Sequence, residues 1–99
     1  MSSRDIRPAL AERFASNVRR LRVSADVSQE ELAFRADVHR TQVSLIEAGE
    51  RLPRPETLVK LAGALGVTAN GLVEGITREP FEQLSGGFAV SPEVGDADA

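Results

Sequence analysis

The side chains of this sequence best suited to binding chemistry fall between Gln29 and Arg54. Gln29, Arg40, Thr41, Gln42, Ser44, Arg51 and Arg54 supply amides, hydroxyls and fixed cations. Such groups donate and accept hydrogen bonds, and the arginines keep their charge at any working pH. The set is equipped to grip a polar, anionic partner rather than to break a bond in it. No Gly-rich phosphate loop, no Ser/His or Cys/His arrangement and no metal-ligand cluster accompanies it. The chain has no cysteine, which excludes disulfides and thiolate metal sites. His39 is the only histidine; lying in a turn, it suits contact with solvent or a phosphate better than a metal. Glu30 and Glu31 are explained by helix capping. The sequence therefore predicts no enzyme, no cofactor and no metal.

Helices must position these groups. Leu10, Phe14, Val18 and Leu21 recur in steps of four, four and three, one apolar stripe on a helix from about Pro8 to Val23. Ser28 with Glu31 three residues on forms a capping box that opens a second helix, about Gln29 to Ala36. Asp37-Val38-His39 is a tight turn. A third helix, about Arg40 to Ala48, ends at Gly49. Pro55 sits at the first position of a fourth helix striped by Leu58, Leu61, Ala62 and Leu65 and closed by Gly66. Thr68 caps a fifth, about Ala69 to Glu74, stopped by Gly75. Beyond it Phe81, Leu84 and Phe88 would share a helix face were they not interrupted by Gly86-Gly87. From Ser91 onward the chain is small, acidic and expected to be mobile.

Ninety-nine residues suit one domain with a short appendage, and 41% hydrophobic content suffices for a core. With four Phe, no Trp and no Tyr, that core must be aliphatic. The net charge of −3 runs against the basic footprint of a nucleic-acid binder. Its distribution reverses that impression: residues 1–78 carry +2, and residues 79–99, with five acids and no base, carry −5. No run of about 18 apolar residues occurs and the polar start lacks the pattern of a secretory signal. A soluble protein is expected, cytoplasmic and associated with the nucleoid, with no membrane partner.

Residues 29–48 meet the packing demands of two short helices crossing steeply. A small residue is needed at the closest approach, where Ala33 stands. Leu32, Ala36, Val38, Val43 and Ile46 point apolar groups into the angle, and the turn needs a positive φ at position 37. Glycine is the usual choice there, but aspartate enters that region more readily than most residues. With Val18-Arg19-Arg20-Leu21-Arg22, Val27-Ser28-Gln29-Glu30-Glu31-Leu32-Ala33, Val43-Ser44-Leu45-Ile46-Glu47-Ala48-Gly49, Pro55 to Ala62 and Ala64-Leu65-Gly66-Val67 in one order, the chain resembles the Cro/repressor-type (XRE-like) helix-turn-helix family over about residues 10–75. The resemblance implies an all-α, compact five-helix bundle of the phage-repressor type with a short C-terminal extension. It divides the chain into an N-terminal arm (1–9), the helix-turn-helix domain (10–75) and an extension that is partly apolar, then acidic (76–99). It also implies a homodimer on double-stranded DNA and a role in transcription regulation.

The resemblance carries roles onto individual residues. Arg40, Thr41, Ser44 and Leu45 occupy positions that read base edges from the start of the third helix: arginine suits guanine, and leucine a thymine methyl. Gln29 matches a phosphate clamp at the start of the second helix. By their own positions rather than by the resemblance, Gln42, Arg19, Arg51 and Arg54 are candidate further phosphate contacts, whereas Arg13, Arg35 and Lys60 are expected to be ordinary surface charges. Arg22 and Glu47 match a structural ion pair joining the first helix to the third. Leu72, Val73, Ile76 and Phe81 are the expected dimer interface. The stretch Ile76 to Val90 is too apolar for a passive tail. It is expected first to pack on its own body or dimerise, second to bind a protein partner, as in an antitoxin or restriction–modification controller of the same fold, and third to be disordered.

Overall fold

Local signals set the ends of the helices, and their apolar faces set the packing. The computed structural model describes residues 7–78 and the backbone of 88–90. Its elements are α1 (Arg7–Ser24), α2 (Gln29–Ala36), α3 (Arg40–Glu47), α4 (Pro55–Leu65), α5 (Ala69–Leu72), and strands β1 (Ile76–Arg78) and β2 (Phe88–Val90). Ser28 caps α2: its hydroxyl accepts from the Glu31 amide at 3.0 Å. Asp37 ends the same helix in the left-handed region, at φ 58° and ψ 47°, the conformation the turn demanded. Pro55 occupies the first turn of α4, and Gly66 closes it at φ 73°. Thr68 stands at the N-cap of α5 but makes no side-chain cap bond.

The core is aliphatic apart from one phenylalanine. Phe14 and Val18 of α1, Leu32, Ala33 and Ala36 of α2, Val43 and Ile46 of α3, Leu61 and Ala62 of α4 and Leu72 of α5 form one buried cluster. Ala33, almost fully buried, lets α2 and α3 approach closely. Asn17 is completely buried yet satisfied: its Nδ2 donates to the carbonyls of Leu72 (2.9 Å) and Glu74 (3.0 Å). Through it α1 holds the chain leaving α5, where unpaired carbonyls would otherwise be costly.

Several expectations are corrected here. Helix α1 starts at Arg7, inside the arm expected to reach residue 9. Helix α5 stops at Leu72 rather than Glu74, because the chain turns at Val73 and Gly75 takes φ 85°. Phe88 lies on a strand, not a helix face: β1 and β2 pair antiparallel with Ile76 opposite Val90 and Arg78 opposite Phe88. The all-α bundle thus carries one small two-stranded ribbon. Arg13, expected on the surface, is 9% exposed. Its guanidinium lies over Gly75, where any β-carbon would overlap it. Leu84, like Phe81, lies outside the described residues.

Candidate nucleic-acid interface

Helix α3 is two turns long, and its two sides differ completely. Val43 and Ile46 are buried in the core, with Glu47 beside them at 4% exposure. Arg40 and Thr41 on the opposite side are exposed, and Gln42, Ser44 and Leu45 are half-buried. His39 holds the N-cap: its Nδ1 accepts from the Thr41 amide at 3.0 Å. The imidazole thus satisfies one of the free amides at the start of the helix, a task serine usually performs.

The far end of α3 is bolted to the rest of the domain. Both Glu47 oxygens accept from Arg22, Oε2 from Nε at 2.7 Å and Oε1 from Nη2 at 3.1 Å. The same arginine donates through Nη1 to the carbonyl of Val27 at 2.8 Å. Arg19 Nη2 donates to the Glu47 carbonyl at 3.2 Å, so this expected phosphate contact already has a partner on α3. Gln29 Nε2 donates to Glu47 Oε1 at 3.0 Å, and Ser44 Oγ donates to Gln29 Oε1 at 3.0 Å. One buried carboxylate therefore ties α1, the start of α2 and the middle of α3 together. This fork-shaped pairing is the geometry in which an arginine–carboxylate pair is strongest. The link from Gln29 through Ser44 escaped the sequence reading. Its only signal is the three-residue step from Ser44 to Glu47, which puts both on one flank of α3.

Beside the N-terminus of α3 lies an open polar cleft of about 670 Å³ between the 37–39 turn, the loop after α3 and the start of α4. Gln42, Arg51 and Arg54 line it, together with His39 and Lys60. Arg51 and Arg54 are exposed. Lys60 is committed to α4 and the turn, with Nζ 3.3 Å from Glu56 and 3.9 Å from Asp37. Arg35 pairs with Glu31 one turn earlier on α2, both exposed. Among the described residues no group of His, Cys, Asp and Glu is placed to hold a metal, and no helix is long and apolar enough to cross a membrane.

The expected dimer residues separate. Leu72 is completely buried in the chain's own core and offers nothing to a second subunit. Val73 and Ile76 are half-buried against that core, and Phe81 lies outside the described residues.

A short helix with a polar, cationic outer side, held at a fixed angle across a second helix by a left-handed turn, defines a helix-turn-helix DNA-binding domain. A helix-turn-helix family model matches residues 18–72. The chain belongs to this family, the Cro/repressor-type (XRE-like) group of DNA-binding transcriptional regulators, which is not a family of enzymes. The control protein C.BamHI of Bacillus amyloliquefaciens is 41% identical over 71 residues, covering 71% of this chain and 88% of that protein. An uncharacterised helix-turn-helix transcriptional regulator of Sinorhizobium fredii, y4dJ, is 39% identical over 66 residues, 67% of this chain and 86% of that one. Among solved structures, the restriction–modification controller protein C.AhdI of Aeromonas hydrophila superposes with a TM-score of 0.63 at 34% identity, covering 65% of this chain and 97% of that one.

Proposed function

We propose that this chain is a sequence-specific regulator that binds double-stranded DNA as a homodimer on a palindromic operator. The observation that carries this reading is the outer side of α3, where Arg40 and Thr41 stand exposed on a helix fixed at its other end by Glu47. A major groove admits a helix of this kind, and side chains near its N-terminus meet base edges first. Arg40, Thr41, Ser44 and Leu45 read bases. Gln29, Gln42, Arg51 and Arg54 grip phosphates, the last three from the rim of the polar cleft. Arg19, which spans from α1 to the end of α3, is a further phosphate contact.

One α3 reads only a few base pairs, so useful selectivity calls for two half-sites about 34–36 Å apart. Val73, Ile76 and the segment carrying Phe81 supply the dimer face. A second reading narrows the first: the likeness to C.BamHI and C.AhdI favours a controller of restriction–modification genes. Finding a methyltransferase gene beside this one would support that narrower role, and its absence would count against it.

Selection of bound sequences from a random duplex pool tests the main reading. A palindrome with half-sites one helical turn apart is the expected outcome, together with a dimer in sedimentation on that DNA. Recovery of no common sequence would overturn sequence-specific binding. A single unrepeated half-site bound by a monomer would overturn the dimer.

A further inference from the structure

The hydrogen-bond chain from Arg22 to Ser44 has only one possible direction. A guanidinium only donates and a carboxylate only accepts. Arg22 donates to both Glu47 oxygens, which fixes the group as an ionised carboxylate, and Gln29 approaches Glu47 Oε1 at 3.0 Å. The group of Gln29 facing Glu47 must therefore be the amide nitrogen, because its carbonyl oxygen there would oppose the carboxylate. The carbonyl oxygen then faces Ser44, whose Oγ lies 3.0 Å away. An amide oxygen cannot donate, so the single hydroxyl proton of Ser44 is spent on it.

A serine hydroxyl is ordinarily indifferent, donating or accepting as its partner requires. Here that freedom is gone. We propose that the α1–α3 ion pair, acting through Gln29, turns Ser44 into an obligate acceptor. Ser44 thereby selects an exocyclic amino group in the major groove, adenine N6 or cytosine N4, over the carbonyl oxygens of guanine and thymine. This inference rests on the proposed reading that Ser44 meets DNA. It makes Gln29 a positioning residue for base choice in addition to its phosphate role, for which its second amide hydrogen remains available.

Every base pair offers one amino group and one carbonyl oxygen in the major groove, so a preference among base pairs does not identify the group that is read. Deleting single groups does. The probe is the duplex that the wild-type chain selects, synthesised with one group removed at the base pair whose preference depends on Ser44. Purine in place of adenine, or 2-pyrimidinone in place of cytosine, removes the amino group. The matching analogue on the other strand removes the carbonyl oxygen: 5-methyl-2-pyrimidinone for thymine, or 2-aminopurine for guanine.

Loss of the amino group is expected to weaken binding of the wild-type chain on the order of tenfold more than binding of Ser44→Ala. Loss of the carbonyl oxygen should affect the two equally, since each analogue's cost to pairing is common to both proteins. In Gln29→Met the serine regains its proton, and the amino-group coupling should fall below about threefold. Coupling of Ser44 to the carbonyl oxygen would overturn the inference, as would full amino-group coupling in Gln29→Met. Thermal unfolding confirms that the variants fold; were Gln29→Met not to fold, the wild type and Ser44→Ala decide between the two groups. A selective wild type whose binding is indifferent to both deletions at Ser44 defeats this inference alone. A wild type that selects no sequence defeats the DNA-reading function with it.

Discussion

The two ends of α3 are built on opposite plans. At its C-terminal end Glu47 is buried and accepts from Arg22 and Gln29, while Arg19 holds its carbonyl. At its N-terminal end Arg40 and Thr41 are exposed, and among the described residues the only side-chain bond of 39–41 is the one that the Thr41 amide donates to His39 Nδ1. The contrast shows how a short helix combines a fixed position with unused binding capacity. Rigidity comes from the end whose carboxylate is buried and paired, so the other end can leave its donors uncommitted.

The largest expected effect is at the bolted end. Glu47→Ala leaves Arg22, only 16% exposed at its side chain, without a counter-charge. That should cost about 3 kcal/mol of stability and lower Tm by roughly 15 °C, read by circular dichroism. A loss under about 1 kcal/mol would mean that the end is not bolted by this pair. At the open end the sign of the comparison reverses. Arg40→Ala should keep Tm within about 4 °C and relax preference at one base pair by about 1–3 kcal/mol. If binding to all sequences weakened equally instead, Arg40 would belong with the phosphate contacts.

Smaller effects sharpen the picture around the cleft. Arg51→Ala and Arg54→Ala should each make the slope of log K against log salt shallower by about 1, with base preference unchanged. Unchanged slopes would remove both residues from the interface. Smallest of all, Arg35→Ala breaks an exposed pair with Glu31 and should shift stability by no more than about 0.5 kcal/mol. An effect as large as that at Glu47 would show that burial is not what separates the two ion pairs.

What was legible in the sequence was what is local. Ser28 with Glu31, Pro55 and Gly66 mark helix ends through bonds and dihedrals within a few residues, and α2 and α4 fall where those signals put them. The outer side of α3 followed from Val43 and Ile46 turning inward. What the sequence concealed depends on distant neighbours. The pairing of 76–78 with 88–90 needs two segments whose helical spacing competes with their strand pairing. Gly75 read as a helix stop, but its missing side chain also makes room for Arg13, sixty-two positions earlier. Leu72 looked like an interface residue because periodicity marks an apolar face without saying what covers it; here the chain's own core does. The bond from Ser44 to Gln29 depends on the angle at which α2 and α3 cross, which spacing alone does not give.

An eight-residue helix would melt if released into water, because nucleation costs more than two turns return. The reading element of this chain therefore exists only within the assembled core, and recognition and folding are one coupled equilibrium. Operator at one hundred times its dissociation constant should add about 2.7 kcal/mol to the stability of the folded state. Conversely, a substitution deep in the core, far from any nucleotide, will register in a binding assay as a weaker regulator once the unfolded population becomes appreciable.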